Sequence, residues 1–106
     1  MPLPELDPDQ RQAALAKAAE ARRVRADAKQ RLKSGRLSLP QFLLAADGSP
    51  HLAKMRVSEV LEAMPAYGPI KAERLMGRLD IAPSRRVRGL GARQRAALLA
   101  TFERDS

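Results

Sequence analysis

Residues 83–91 read Pro-Ser-Arg-Arg-Val-Arg-Gly-Leu-Gly and combine three arginines with two glycines and no acid. An arginine side chain is permanently charged, and its planar set of donors matches the oxygens of a phosphate. Gly89 and Gly91 allow the backbone to approach whatever the arginines hold. Taken alone, this arginine turn (residues 83–91) is equally well interpreted as a polyanion-binding loop or as a solvated basic turn.

A second group of residues, from Leu61 to Leu79, has the pattern of two helices joined by a short Pro/Gly loop. Gly68 permits a tight turn, and the helix after it presents free N–H groups and its positive dipole end to a phosphate. Pro69 suits the first helical turn, where its missing N–H costs nothing, and Ala72 is small where the helices must approach. The pattern resembles a helix-hairpin-helix or helix-two-turn-helix nucleic-acid motif.

Lys71 and Arg74 would flank a phosphate bound at this hairpin. Ala66 stands where such loops often carry a first glycine, and alanine resists a positive φ. The hairpin therefore remains compatible with an ordinary helix-packing unit. Tyr67 also has two interpretations, a plug packed inside the hairpin or a wedge inserted between bases, and the plug is the commoner role.

The charge of the whole chain indicates a polyanionic partner. The 106 residues carry a net charge of +8, and residues 11–95 hold 19 bases and 7 acids, a net of +12. Such a field attracts nucleic acid or an anionic membrane surface. No stretch approaches the ~18 apolar residues of a membrane span, and no secretory-type apolar segment follows the start. We therefore expect a soluble intracellular protein. Binding to a membrane surface is not expected either, because no basic segment has a bulky apolar opposite face.

The residue types present predict no cofactor and no metal. The absence of cysteine excludes disulfides and thiolate zinc sites, and His51 is the single histidine, with no acidic cluster near it in the sequence. Only three aromatic residues are present, which counts against stacking on single-stranded nucleic acid as the main mode of binding.

The elements that position these residues are all predicted to be helices. Prolines interrupt the first eight residues and predict an extended or flexible arm. Asp7 is the expected N-cap of a long helix that runs to about Lys33 and stops at Ser34-Gly35. Because its apolar residues are mostly alanines, we expect only its C-terminal half to pack against the rest of the protein.

Shorter helices are expected after this long one. Ser38 caps a helix that ends near residues 47–50, and the first hairpin helix begins at Ser58 or an earlier residue. The second hairpin helix ends at Asp80, and a last helix runs from Ala92 to about Phe102. No segment alternates with period two for long enough to form a strand. The prediction is an all-α fold: an N-terminal arm and a long basic helix (residues 1–36), then a compact helix-two-turn-helix core of short helices (residues 37–106).

The sequence resembles the actinobacterial integration host factor family of small, basic, nucleoid-associated proteins. The resemblance covers nearly the whole chain and rests on the basic alanine-rich helix of residues 10–33, on Lys-Met-Arg-Val-Ser at 54–58, on the hairpin, and on residues 81–91 with Arg93-Gln94 after them. The block at residues 81–91 is highly specific, whereas the alanine-rich helix alone would be weak.

The resemblance implies a helix-two-turn-helix core that binds duplex DNA with little sequence preference and bends or compacts it. The family's hairpin glycine and basic residue map onto Gly68 and Lys71, and its arginine cluster maps onto the arginine turn. Ala66 and Pro69 depart from the commoner Gly-Val-Gly-Lys pattern. The expected DNA contacts are Gly68, Pro69, Ile70, Lys71, Arg74, Arg85, Arg86, Arg88, Gly89, Gly91, Arg93 and Gln94, with secondary contacts from Arg22, Arg23, Arg25, Lys54 and Arg56.

We therefore expect a non-enzymatic architectural protein, monomeric in solution and located in the cytoplasmic nucleoid. Its partners would be double-stranded DNA and, as the resemblance implies for some members, a phage integrase complex. One alternative is an RNA-binding module of the ribosomal helix-two-turn-helix kind. Another is a glycosylase of the formamidopyrimidine type, for which the chain is too short and lacks zinc-finger cysteines.

Overall fold

Every regular element in the part of the protein that the structure describes, residues 7–104 of a computed structural model, is helical. The all-α prediction is therefore confirmed, while the expected arm at residues 1–6 lies outside the described residues. The elements are α1 (Pro8–Lys33), α2 (Leu39–Asp47), α3 (Pro50–Ala53), α4 (Val57–Ala63), α5 (Pro69–Arg78), a single 3-10 turn (Val87–Gly89) and α6 (Ala92–Arg104).

Helix α1 begins and ends where the local sequence signals place its boundaries. The Asp7 carboxylate accepts a hydrogen bond from the Gln10 N–H at 2.7 Å, and the Gln10 side-chain oxygen accepts one from the Asp7 N–H at 3.1 Å. This reciprocal cap satisfies two N–H groups at the helix start. At the other end Gly35 adopts a φ of +78°, a left-handed conformation that closes a helix and favours glycine.

Only the C-terminal half of α1 packs on the rest of the protein, as predicted. Residues 7–20 are all exposed, whereas Ala28 and Leu32 belong to the hydrophobic core. A helix of 26 residues is about 39 Å long, so its free half projects well beyond the core. This explains a radius of gyration of 16.2 Å, against about 13 Å for a compact domain of 100 residues.

One hydrophobic cluster holds α1 to α6 together. Phe42, Leu61, Leu75 and Leu98 are each at most 1% exposed and come from four different helices. Because Leu32 of α1 is also fully buried in this cluster, the last turns of α1 pack with the core. The division of the chain near residue 36 into two units remains a prediction.

The start of α4 decides between the two positions left open by the sequence. The N-cap is Arg56, whose backbone N–H approaches a carboxylate oxygen of Glu59 at 3.5 Å. Ser58 lies inside the helix and is not the cap, so that candidate was wrong and the earlier residue was right. Within residues 7–104, no helix is both long enough and apolar enough to cross a membrane.

Candidate nucleic-acid interface

Helices α4 and α5 form the predicted hairpin, and the small residue lies where they pack together. Ala72 is 1% exposed, and Val60 and Leu61 of α4 are buried in the same cluster. Pro69 is the first residue of α5, as expected from its fixed φ and missing N–H.

The left-handed residue of the hairpin turn is Ala66, at the position where such loops often carry a first glycine. Ala66 has φ +65°, whereas Gly68 has φ −109° and ψ −177°, an extended conformation open to any residue. Gly68 was predicted to permit the tight turn, but its extended backbone does not require glycine. Ala66 adopts the unusual φ in spite of its Cβ, because the packing of the two helices fixes the loop between them.

Gly68 instead leaves the N-terminus of α5 without a side-chain cap. Helices α1, α2 and α3 each begin with a side chain that accepts a backbone N–H, whereas Gly68 provides none. The first backbone hydrogen bond of α5 runs from the Ala72 N–H to the Gly68 oxygen at 3.0 Å. The N–H groups of Ile70 and Lys71 precede that bond and point along the positive end of the helix dipole, where an anion is stabilised.

Basic side chains follow one face of α5 from this open end to its last residue. Lys71, Arg74 and Arg78 lie at i, i+3 and i+7 of α5, are all exposed, and line one surface depression together with Tyr67 and Gly77. Lys71 and Arg74 were predicted from the sequence as DNA contacts, whereas Arg78 was not. The same helical spacing that relates Lys71 to Arg74 would have found it.

The arginine turn is fixed to the segment between α3 and α4. The Val57 N–H donates to the Arg85 oxygen at 3.0 Å, and the Val87 N–H donates to the Met55 oxygen at 2.9 Å. Val87 and Met55 are both buried. These two backbone hydrogen bonds form a short antiparallel bridge, so the arginines project from an anchored loop.

Two of the three arginines also donate to backbone carbonyl groups of the protein itself. The Arg86 guanidinium donates to the Lys54 backbone oxygen, and Arg85 Nη1 donates to the Gly89 oxygen at 3.0 Å. A Cβ at Gly89 would lie 3.2 Å from Arg85 Cδ, so glycine makes room for the folded Arg85 side chain. Arg88 is exposed. A guanidinium has five N–H donors, so Arg85 and Arg86 retain donors for a phosphate.

Gln94 has a structural role at the beginning of α6. Its side-chain oxygen accepts from the Gly91 N–H at 2.9 Å, and its amide nitrogen donates to the Asp80 oxygen at 2.8 Å. Asp80 follows α5 and has φ +58°. Gln94 therefore connects the end of α5 to the start of α6, whereas Arg93 is exposed beside it.

The residues predicted as secondary DNA contacts lie in two separate places. Lys54 and Arg56 adjoin the arginine turn, through the Lys54 carbonyl and through the bridge between Arg56 and Arg86. Arg22 and Arg25 instead line a groove between α1 and α4. Arg23, the remaining candidate on α1, is exposed but is not among the residues of that groove.

The groove between α1 and α4 contains acids as well as bases. Lys29 Nζ lies 2.9 Å from a carboxylate oxygen of Glu59, and Glu62 lines the same groove. Partial burial opposes ionisation of Glu59, but the hydrogen bond and charge of Lys29 outweigh it and lower the pKa of that carboxyl. This groove is therefore less purely basic than the sequence of α1 suggests.

The fold and the hairpin geometry define a helix-two-turn-helix domain, and residues 32–102 match the family model of the S13-like H2TH domain. Three relatives, each named integration host factor, match nearly end to end. The identity is 54% with that of Mycolicibacterium smegmatis, over 99% of this chain and 100% of the relative. It is 55% with that of Mycobacterium tuberculosis, over 96% and 97%, and 48% with that of Streptomyces coelicolor, over 96% and 95%.

The chain belongs to the integration host factor family of actinobacteria. A solved structure of sIHF bound to an 8bp palindromic DNA superposes with a TM-score of 0.80 at 45% identity, covering 82% of this chain and 98% of that one. The resemblance noted in the sequence and the predicted helix-two-turn-helix fold are both confirmed.

Proposed function

We propose that this protein is a non-enzymatic architectural component of the nucleoid that binds duplex DNA with little sequence preference. The observation that carries the proposal is the uncapped N-terminus of α5, with Lys71 and Arg74 exposed beside it. It is supported by the likeness to sIHF, whose structure holds duplex DNA. No observation on this chain favours RNA instead.

The first contact surface would be the start of α5 together with the basic face that continues along the helix to Arg78. The N–H groups of Ile70 and Lys71 would donate to phosphate oxygens, and Lys71, Arg74 and Arg78 would neutralise neighbouring phosphates. Gly68 and Pro69 would let the DNA backbone approach because neither carries a side chain that blocks these N–H groups. Contacts of this kind position a protein on DNA but do not read its bases, which accounts for low sequence preference.

The second contact surface would be the arginine turn. Arg88 is exposed on an anchored loop and is the best candidate to enter a minor groove, where arginine is attracted by the negative potential. Arg85, Arg86 and Arg93 would hold the flanking phosphates, and Gly89 and Gly91 would keep the loop narrow. Two surfaces on one packed core would bend one duplex or connect two.

The remaining candidates extend this proposal. Arg22, Arg23 and Arg25 on α1, with Lys54 and Arg56 beside the arginine turn, would add weaker phosphate contacts. We also propose that the protein acts as a monomer and that it assists a phage integrase complex, as the family resemblance implies for some members.

The salt dependence of binding tests the proposal. With about five phosphates neutralised, the affinity for 20–30 bp duplexes should fall roughly 10²–10³-fold between 50 and 200 mM salt. Fluorescence anisotropy with several duplexes and a double-stranded RNA competitor would measure this. A flat salt response, or preferential binding of the RNA, would refute the proposal.

Charge-matched variants then locate the surface. Lys71→Gln and Arg88→Gln should each weaken binding to all sequences alike and reduce the salt slope by about 1. Arg11→Gln removes the same charge from the exposed N-terminal half of α1, outside both surfaces, and is the matched control. Equal effects of all three variants would show that only the net charge matters and that neither surface is a site.

A further inference from the structure

Lys71 is part of a three-residue stack at the start of α5. Its ammonium nitrogen lies 4.4 Å from the centroid of the Tyr67 ring. The Tyr67 ring in turn lies 5.2 Å from the Phe102 ring, at an interplanar angle of 36°. Phe102 belongs to α6, so the stack connects the last helix to the first turn of α5 through the hairpin loop.

We propose that Tyr67 is a positioning residue for DNA binding, which holds the Lys71 ammonium beside the N–H groups of α5 where a backbone phosphate would bind. This inference rests on the proposed function and assigns a role to a residue that does not itself contact the phosphate. The attraction between a cation and the face of an aromatic ring favours the observed lysine position.

The physical reason is the freedom that a lysine side chain loses on binding. A lysine has many rotamers in water, and holding it against a phosphate removes them. The Tyr67 ring already restricts these rotamers in the free protein. A cation–π contact at an exposed site corresponds to about a two- to fivefold change in an equilibrium constant. We expect a preorganisation effect of the same size on DNA affinity.

The packing of Tyr67 argues against its insertion between bases. The side chain is half-buried and contacts Phe102, which is itself half-buried against the core. Leaving this position to enter the duplex would break that packing. The structure therefore favours a Tyr67 ring packed in the hairpin over one inserted between bases. The packed ring also orients the charge of Lys71.

A double-mutant cycle measured by anisotropy at several salt concentrations tests the inference. Tyr67→Leu should weaken duplex binding about two- to fivefold at every salt concentration and leave the salt slope unchanged, because no charge is removed. Tyr67→Phe keeps the ring face that Lys71 contacts and should therefore bind more tightly than Tyr67→Leu. Lys71→Gln should reduce the slope by about 1, and adding Tyr67→Leu to it should have no further effect.

Each other outcome overturns the inference. If Tyr67→Leu weakens binding equally with and without Lys71→Gln, Tyr67 acts on the DNA or on the fold and not through Lys71. If Tyr67→Leu changes nothing, no positioning exists. If the unmodified protein shows no salt-dependent duplex binding, the proposed function itself fails, and this inference fails with it.

A measurement on the unmodified protein covers the case in which Tyr67→Leu does not fold. The side-chain methylene protons next to the Lys71 ammonium should show upfield NMR shifts from the Tyr67 ring current. The exposed Lys17 on α1 is the internal reference. Identical shifts for the two lysines would overturn the inference without any variant.

Discussion

Replacing Ala66 by glycine should stabilise the protein, because Ala66 is held at φ +65°. This left-handed conformation costs an L-residue with a Cβ roughly 1–2 kcal/mol. Glycine avoids that penalty but gives the unfolded chain extra freedom, worth about 0.4–1 kcal/mol. The difference leaves a net stabilisation of about 0.5–1 kcal/mol, which corresponds to about 2–8 °C in Tm for a domain of this size.

Gly68→Ala is the reverse of Ala66→Gly, two residues further along the same loop. Its φ of −109° and ψ of −177° suit alanine, and a Cβ added there meets no atom within 4 Å. Gly68→Ala should change the unfolding free energy little, because the reduced freedom of the unfolded chain, worth about 0.4–1 kcal/mol, is offset by the poorer N-cap preference of alanine. If the proposed function is right, the same methyl group beside the open end of α5 weakens DNA binding, so affinity falls without a matching loss of stability.

Urea and thermal denaturation, followed by circular dichroism, measure both variants. Gly35→Ala serves as the control for sign, because Gly35 has φ +78° and alanine there should destabilise the protein by about 1 kcal/mol or more. If Ala66→Gly destabilises the protein, or if Gly68→Ala destabilises it as Gly35→Ala does, then Gly68 and not Ala66 carries the left-handed turn. That result would refute the assignment.

Three further predictions concern stability. Leu32→Ala should cost about 2–5 kcal/mol of unfolding free energy because Leu32 is fully buried, whereas Leu15→Ala, at a site 60% exposed, should leave the urea midpoint unchanged. Gln94→Ala should cost about 0.5–2 kcal/mol, since it removes the helix cap and the link to α5; an unchanged Tm would contradict that role. Because the pKa of Glu59 is lowered in the folded protein, its contribution, under about 1 kcal/mol, should be present above pH 4.5 and lost as the pH falls below it. Glu59→Gln should flatten that part of the stability–pH profile, and an identical profile would contradict it.

Several parts of the fold follow from short-range sequence signals. The cap at Asp7, the stop at Gly35 and the cap at Ser38 each depend on residues at most three or four positions apart, so composition and spacing are enough to place them. Burial of Leu32 and exposure of the N-terminal half of α1 follow from the scarcity of bulky apolar residues before Val24.

Because sequence signals of this kind act over only a few positions, the candidate site was only partly predictable. The position of Lys71 and Arg74 on the second hairpin helix follows from sequence spacing. Arg78 could have been found by that spacing and was not. The hydrogen bond from the Gln94 side chain to the Asp80 oxygen joins residues 14 positions apart, so short-range sequence patterns do not reveal it.

The sequence by itself determined the helical fold, its caps, the small residue in the hairpin and the concentration of positive charge. Only the tertiary structure decided that Ala66 takes the left-handed conformation, because alanine resists a positive φ and the packing of α4 against α5 imposes it. The anchoring of the arginine turn was likewise decided by backbone hydrogen bonds to residues 55–57, which have no side-chain signature. The stack of Lys71, Tyr67 and Phe102 depends on bringing α6 to the hairpin. Local preferences select elements, whereas burial of one shared core decides which distant residues meet.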